Sequence, residues 1–527
     1  MYKNINPKRL FLSTFIFFIF LLQYPCKSQN NSKKITIASS GKIESIDPAR
    51  ANTLKSLQLL YSLGDTLYEL NGEGDLIPKL ASSMPIFSRD KLKVSIELRE
   101  NIFFHDGTPF NSEAMKFTIE RFQKIGTTNY ILRDKIKSIE TPNEYTLVIN
   151  FNKPSTSIEG LLTSVNLTPI SPTAYKDYHD KFLNDDFIGT GAYSLRRFSK
   201  EIQILDENLN YWGPKPKNNG INFVGYSNSS SLYGALISKQ IDVLLSNSID
   251  DSQRNKLRSL SENNKLKEGS SEPTEITFLS LRTNSPPFDN KEIRLAIAKS
   301  LNRELISQKI SYDQREPAYS IIPPILNNNK QGSWPKYSPK DAISIFRNQG
   351  YCDGNTLNLS LTYRSNVPND KLIALAWQQD LKNNMEDCFS LTINGVESTT
   401  IYKNISEGIY SAVILDWTGA YSDPEAYLKP LLSCNYIEGN NCSEGESVFS
   451  GSFWGSNKVE KLFLKSESLT GDARLDKLYK IEEIAAEEIP YIPIWISSQK
   501  AWGQNNISKP IFNGAGIILM SEFSIIK

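Results

Sequence analysis

The chain has 527 residues, a length that allows about three or four globular units at roughly 100–200 residues each. Its 59 Lys+Arg against 58 Asp+Glu leave no broad basic surface for nucleic acid, and 39% hydrophobic with 11% aromatic residues argue against wholesale disorder. Only two histidines occur, His105 and His179, which disfavours a histidine-rich metal site or a conventional histidine-based catalytic cluster.

Lys3, Lys8 and Arg9 precede the apolar run Leu10–Leu22 (LFLSTFIFFIFLL), which is shorter than the about 20 residues a membrane span needs. A positive flank before a short apolar run is the pattern of a secretory signal, predicted over 1–28. Two endings stay open. Cys26 follows the run where a lipid-bearing cysteine would stand, so it is the candidate lipid anchor. Cleavage after Ser28 would instead place small residues, Cys26 and Ser28, at the processing site and release a soluble protein. Both endings predict an exported protein of a periplasmic, Gram-negative type of envelope.

Ile35–Ala38 reads as a short strand before the polar turn Ser39-Ser40-Gly41. Lys93–Leu98 (KVSIEL) and Tyr145–Phe151 (YTLVINF) read as strands rich in β-branched and aromatic residues. Between them, Asn111 or Ser112 can cap a helix carrying Met115, Ile119 and Phe122 on one face. His105-Asp106-Gly107 ahead of it is read as a turn rather than a catalytic pair, because adjacent residues rarely face one another. Gly189-Thr190-Gly191 lacks the spacing of a phosphate cradle and is read as a backbone turn between domains.

Further on, a helix is predicted over Lys291–Lys309, followed by a strand at Leu357–Tyr363, a helix near Lys371–Asn383 and a strand at Phe389–Asn394. Strand, helix and strand in succession predict a βαβ unit of an α/β domain. Ser411–Trp417 reads as a buried strand entering the loop Thr418–Pro424, and Leu475, Leu478, Ile481 and Ile484 stripe the last long helix. Four cysteines, Cys352, Cys388, Cys434 and Cys442, form an even set in an oxidising compartment and read as two disulfides. Three pairings exist on paper: Cys434 with Cys442 would clip a short loop, and Cys352 with Cys388 would close a strand–helix unit.

Taken in order, these motifs resemble those of the extracytoplasmic solute-binding proteins, family 5, the peptide-, oligopeptide-, dipeptide- and nickel-binding proteins of ABC importers. The resemblance is carried by Ser45-Ile-Asp-Pro-Ala49, Phe103-Phe-His-Asp-Gly-Thr-Pro-Phe110, Gly189-Thr-Gly-Ala-Tyr193, Asn208-Leu-Asn-Tyr-Trp-Gly213, Pro287-Phe-Asp-Asn290 and Leu415-Asp-Trp417 through Pro424. It implies an α/β, periplasmic-binding-protein type II-like fold of two lobes with a hinge, plus an additional small α/β domain. By this analogy lobe I combines 29–76, 190–275 and 490–527, the extra domain is 77–189, and lobe II is 276–489.

It also implies a monomeric binder without a cofactor, which captures a peptide-like solute by flytrap closure and delivers it to a permease with its ATPase. No enzyme is expected, since motifs such as G-x-S-x-G are absent. A binder of a nickel chelate, haem, an opine or an oligosaccharide, or a ligand sensor without a transporter, would share the fold. Dipeptide-type relatives place an aspartate three residues after the late tryptophan, on the peptide ammonium, and here that position is Ala420. Either Asp416 or Asp423 takes over, or the ligand lacks a free ammonium. Arg364 stands near the relatives' carboxylate-binding arginine, and Trp417, Thr418 and Tyr421 are the expected cleft walls.

Overall fold

The computed structural model describes residues 34–526 apart from 52, 133–134, 247–248 and 329–331. The expected signal segment 1–28 and Cys26 lie outside the described residues. Ile35–Ser40 forms a strand whose two faces are both covered, so it reads as an apolar run rather than an alternation. It pairs in parallel with Gly220–Tyr226 and with Val243–Leu245. Gly220–Tyr226 pairs antiparallel with Ile202–Glu207, which pairs antiparallel with Tyr193–Phe198. These five strands make the first wing of a sheet.

The second wing is the expected βαβ unit. Leu357–Arg364 and Phe389–Val396 pair in parallel from Leu357↔Phe389 to Arg364↔Val396, and the helix Pro368–Asn384 crosses between them. Ala412–Trp417 joins Leu357–Arg364, also in parallel. Two long strands, Leu266–Leu281 and Tyr491–Gln504, pair antiparallel and connect the wings, the former to Ala412–Trp417 and the latter to Val243–Leu245. One sheet of eleven strands results, with Glu316–Pro317 added beside Tyr491–Gln504. Cys352–Cys388 closes the base of the parallel pair, and Cys434–Cys442 clips a small hairpin.

The predicted helix over Lys291–Lys309 is interrupted. It runs Lys291–Lys299, and a second helix restarts at Arg303–Ile306, because Asn302 caps it by accepting the Leu305 N–H at 3.0 Å. Arg303, fully buried, donates to the carbonyls of Pro493 and Pro335, which holds the break in place.

A separate four-stranded antiparallel sheet has the order Ile86–Phe87, Lys93–Glu97, Thr146–Phe151, Ile136–Asn143. The helix Ser112–Ile125, capped by Asn111, buries Met115, Ile119 and Phe122 against it. This four-stranded body is bolted to the first wing by a buried ion pair. Arg121 on the helix meets Asp47 with two bonds, at 2.9 and 2.5 Å, and neither side chain reaches solvent. Asp47 also accepts the N–H groups of Ala49 and Leu183, so every lone-pair direction has a donor.

The His105 segment is the turn that Asp-Gly predicts. Asp106 accepts the Thr108 N–H at 2.9 Å, Gly107 has φ +83°, and His105 Nε2 lies 3.1 Å from the Gly191 carbonyl. Gly191 itself packs backbone to backbone: a Cβ there would sit 2.3 Å from the Leu63 carbonyl carbon and 2.4 Å from the Gly64 nitrogen. Gly191→Ala should therefore lower the thermal midpoint by about 1–3 °C, the shift that about 1–3 kcal/mol of overpacking gives in a chain of this size. An unchanged melting curve would contradict the close approach.

Candidate functional site

Ligands of open α/β sheets bind outside the carboxyl ends of the parallel strands. The register shows where these ends meet. Ala412–Trp417 runs antiparallel to Leu266–Leu281 and ends opposite Ile276, while Val243–Leu245 runs antiparallel to Tyr491–Gln504 and ends opposite Ala501. Since Ala501 pairs with Gly269 and Ser497 with Glu275, both strand ends point at the short stretch 269–276 of the connecting strands. That stretch is the candidate floor of a binding crevice between the wings.

Its charged side chains form a chain of contacts. Asp416 lies opposite Thr277, and Glu275 shares the Thr277 face two residues away, so the two carboxylates are diagonal neighbours on one face. Their side chains keep 38% and 34% exposure, enough to meet a solute. Burial, and then the charge of Asp416, pushes the Glu275 carboxyl above its usual range. Arg315 stands behind Glu275 at 4.0 Å, donates to Ser497 Oγ at 2.8 Å, pairs with Asp251 at 3.4 Å and lies over the Trp495 ring.

Arg364 is enclosed rather than presented. Its guanidinium meets Asp370 at 2.7 and 3.1 Å and Asp416 at 2.8 Å, and little of it is exposed. Burial works against its charge, but Asp370 and Asp416 outweigh burial and raise its pKa, so it stays a cation. Burial pushes the Asp370 carboxyl up despite Arg364. Arg364 thus orients Asp416 towards the crevice.

Thr418 is exposed and Ala420 half-buried at the end of the strand. Trp417 donates its Nε1–H to the Ala426 carbonyl at 2.8 Å and packs partly on the second-wing core. Tyr421 packs on two cores at once, that of the second wing and that of the four-stranded body, and burial holds its hydroxyl well above its ordinary pKa. Asp423 is committed elsewhere: Arg474 grips both its oxygens at 2.6 and 3.0 Å, and it caps the helix Glu425–Leu432 by accepting the Glu425 N–H. Of the two aspartates expected to replace the missing charge at Ala420, Asp416 stands at the crevice and Asp423 in an internal ion cluster.

Glu275 and Arg315 escaped the sequence reading. The only sequence signal for Glu275 was a lone carboxylate opening the apolar run Ile276–Leu281, and its partner across the strand pair is more than a hundred positions away. The arrangement offers strand-end backbone and two adjacent carboxylates that favour a cationic or donor-rich group.

Comparison with known proteins agrees with this architecture. The model of bacterial extracellular solute-binding proteins, family 5, matches residues 75–439. The glutathione-binding protein GsiB of Escherichia coli O6:K15:H31 is 22% identical over 485 residues, which cover 90% of this chain and 91% of that protein. The structure of HbpA2 from Haemophilus parasuis superposes with a TM-score of 0.79 at 19% identity, over 94% of this chain and 100% of the other. That of the dipeptide-binding protein from Pseudoalteromonas sp. SM9913, in complex with Met-Leu, gives 0.75 at 20% identity, over 94% and 100%. The fold is therefore the expected α/β, two-lobed, type II-like architecture.

Proposed function

The chain belongs to the bacterial extracellular solute-binding proteins, family 5, and from that premise we propose that it captures a peptide-like solute between its wings and hands it to an ABC permease. The family is one of solute-binding proteins. The observation that carries the reading is the candidate crevice floor, where Asp416 and Glu275 stand about one-third exposed beside the carboxyl ends of strands from both wings. A solute touching both wings favours the closed form by its differential affinity, which is how capture becomes a signal to a permease.

Export through the signal 1–28, with or without a lipid anchor at Cys26, and a monomeric state belong to the same proposal. So does the division into lobe I (29–76, 190–275, 490–527), extra domain (77–189) and lobe II (276–489). Separate cores support it: Ile37, Leu205 and Phe223 gather in one, Ile96, Met115 and Leu147 in a second, and Leu359, Trp377 and Phe389 in a third. Val165, Ile170 and Phe187 pack into the first-wing core and tie the extra domain to lobe I.

The substrate-binding set we propose is Asp416, Glu275, Trp417, Thr418 and Ala420, with Arg364 orienting Asp416 and Tyr421 holding the loop. Native mass spectrometry of the exported protein, followed by calorimetry with di- to pentapeptides, tests the reading. A retained peptide supports it; a retained metal chelate, haem or oligosaccharide overturns the peptide class.

The pH profile follows from Glu275. Burial and then the charge of Asp416 raise its carboxyl pKa, and only the ionised form attracts a cation. Affinity for a cationic peptide should rise as pH climbs above the ordinary glutamate range, and Glu275→Gln should flatten that rise and cost about tenfold in affinity. A pH-independent affinity in the unaltered protein would take Glu275 out of the site.

A further inference from the structure

The four-stranded body and the second wing share no strand, yet they meet through a dense ion cluster away from the crevice floor. Lys135, just before the strand Ile136–Asn143, donates to Ser157 Oγ at 2.6 Å on its own body. Across the contact its Nζ lies 3.4 Å from Glu425 Oε1 and 3.3 Å from Glu467 Oε1. Ser157 Oγ donates to Glu467 Oε2 at 3.1 Å, and the Thr156 N–H donates to the Glu467 carbonyl at 3.2 Å.

On the second-wing side, Glu425 is wholly buried and also meets Lys429 at 3.1 Å and Arg474 at 2.9 Å. Burial opposes its ionisation, but Lys135, Lys429 and Arg474 together hold its carboxyl well below the usual range. The same contact reaches the loop that carries the site. The Ser422 N–H donates to Thr163 Oγ1 at 3.2 Å. Gly160 lies so close that a Cβ there would be 2.7 Å from that of Asp423 and 3.2 Å from the Tyr421 ring.

The mechanics follow from the connections. The Asp47–Arg121 pair fixes the four-stranded body to the first wing, while the strands Leu266–Leu281 and Tyr491–Gln504 and the Arg315–Asp251 pair join the second wing to the first. A hinge motion between the wings therefore loads the contact between the body and the second wing. Withdrawing Lys135 would leave Lys429 and Arg474 against Glu425, Glu467 and Asp423, one carboxylate in excess.

We propose that Lys135 is a latch: seated between Glu425 and Glu467, it holds the wings closed and, through Thr163 and Gly160, positions the loop 418–423 of the binding crevice. The inference rests on the flytrap reading of the crevice, and it adds a ligand-independent bias toward the closed form. In this design the extra domain, and not the solute alone, sets how often the crevice opens.

The test uses the exported full chain without any solute, by small-angle scattering and amide hydrogen exchange. Lys135→Met, which keeps most of the aliphatic stem, should enlarge the radius of gyration. It should also speed exchange about tenfold in 156–163 and 418–423, with the core strand Ile35–Ser40 unchanged. Glu467→Gln should act in the same direction and decides the matter if Lys135→Met fails to fold. Unchanged scattering and exchange in both variants, or an unaltered protein that is already open, would overturn the latch. Because no ligand enters the experiment, its failure leaves the solute reading intact, and a failed solute screen leaves the latch standing.

Discussion

Replacing Asp47 with alanine is expected to remove about 3–5 kcal/mol of unfolding free energy. The side chain neutralises Arg121 inside the protein, and Arg121 also donates to the carbonyls of Tyr178 and Lys181 while lying over the Tyr175 ring. Alanine would strand a guanidinium with no exposed surface among groups arranged for a neutral pair. A swap of both partners for apolar residues, Asp47→Leu with Arg121→Met, should recover much of the loss, because breaking a buried pair costs more than deleting it. Urea unfolding followed by tryptophan fluorescence and by far-ultraviolet circular dichroism checks both. A single variant within about 0.5 kcal/mol of the parent would show that the pair does not bind the body to the first wing.

Arg364→Ala should be nearly as costly, by about 3–5 kcal/mol, and its cost should depend on pH. Asp370 would be left buried without its cation, and burial already pushes its carboxyl above the ordinary value. A carboxyl whose folded pKa exceeds its unfolded one stabilises the fold below the unfolded value and loses that stabilisation as pH rises through the folded value. The variant should thus lose stability relative to the parent as pH rises above the ordinary aspartate range. Denaturant midpoints below and above that range measure it, and a pH-independent deficit would mean that Asp370 finds another donor. Asp416→Asn is the complementary probe: its carboxylate is partly exposed, so its removal should change solute affinity far more than stability.

What the sequence made legible was local. The βαβ unit followed from two β-branched runs around a helical stretch, the Asp106-Gly107 turn from its dipeptide, and both disulfides from cysteine spacing and compartment. Non-local electrostatics were hidden. Ser45-Ile-Asp-Pro-Ala49 stood out only as a resemblance, since nothing near it announces Arg121 as its partner. Arg364 is expected from the sequence near a solute carboxylate, yet whether it faces a solute or two carboxylates depends on Asp370 and Asp416, one on a helix and one on another strand. Asp423 shows the same limit, because Arg474 arrives from a distant helix. The break at Asn302 is different: an N-cap residue inside an apparent helix was a readable stop signal that the apolar stripe overrode.

The placement of Tyr491–Gln504 bears on how the molecule is made. This last long strand lies inside the sheet, between Val243–Leu245 and Leu266–Leu281, and it joins partners synthesised more than two hundred residues earlier. Contacts of such high sequence separation form late and slowly. A nascent chain that stops before residue 491 lacks the sheet's central seam, so its halves have nothing to zip together. The protein is thereby kept from completing its fold until its last strand has been made, so a truncation that removes 491–504 should leave two unjoined wings rather than a shortened native protein.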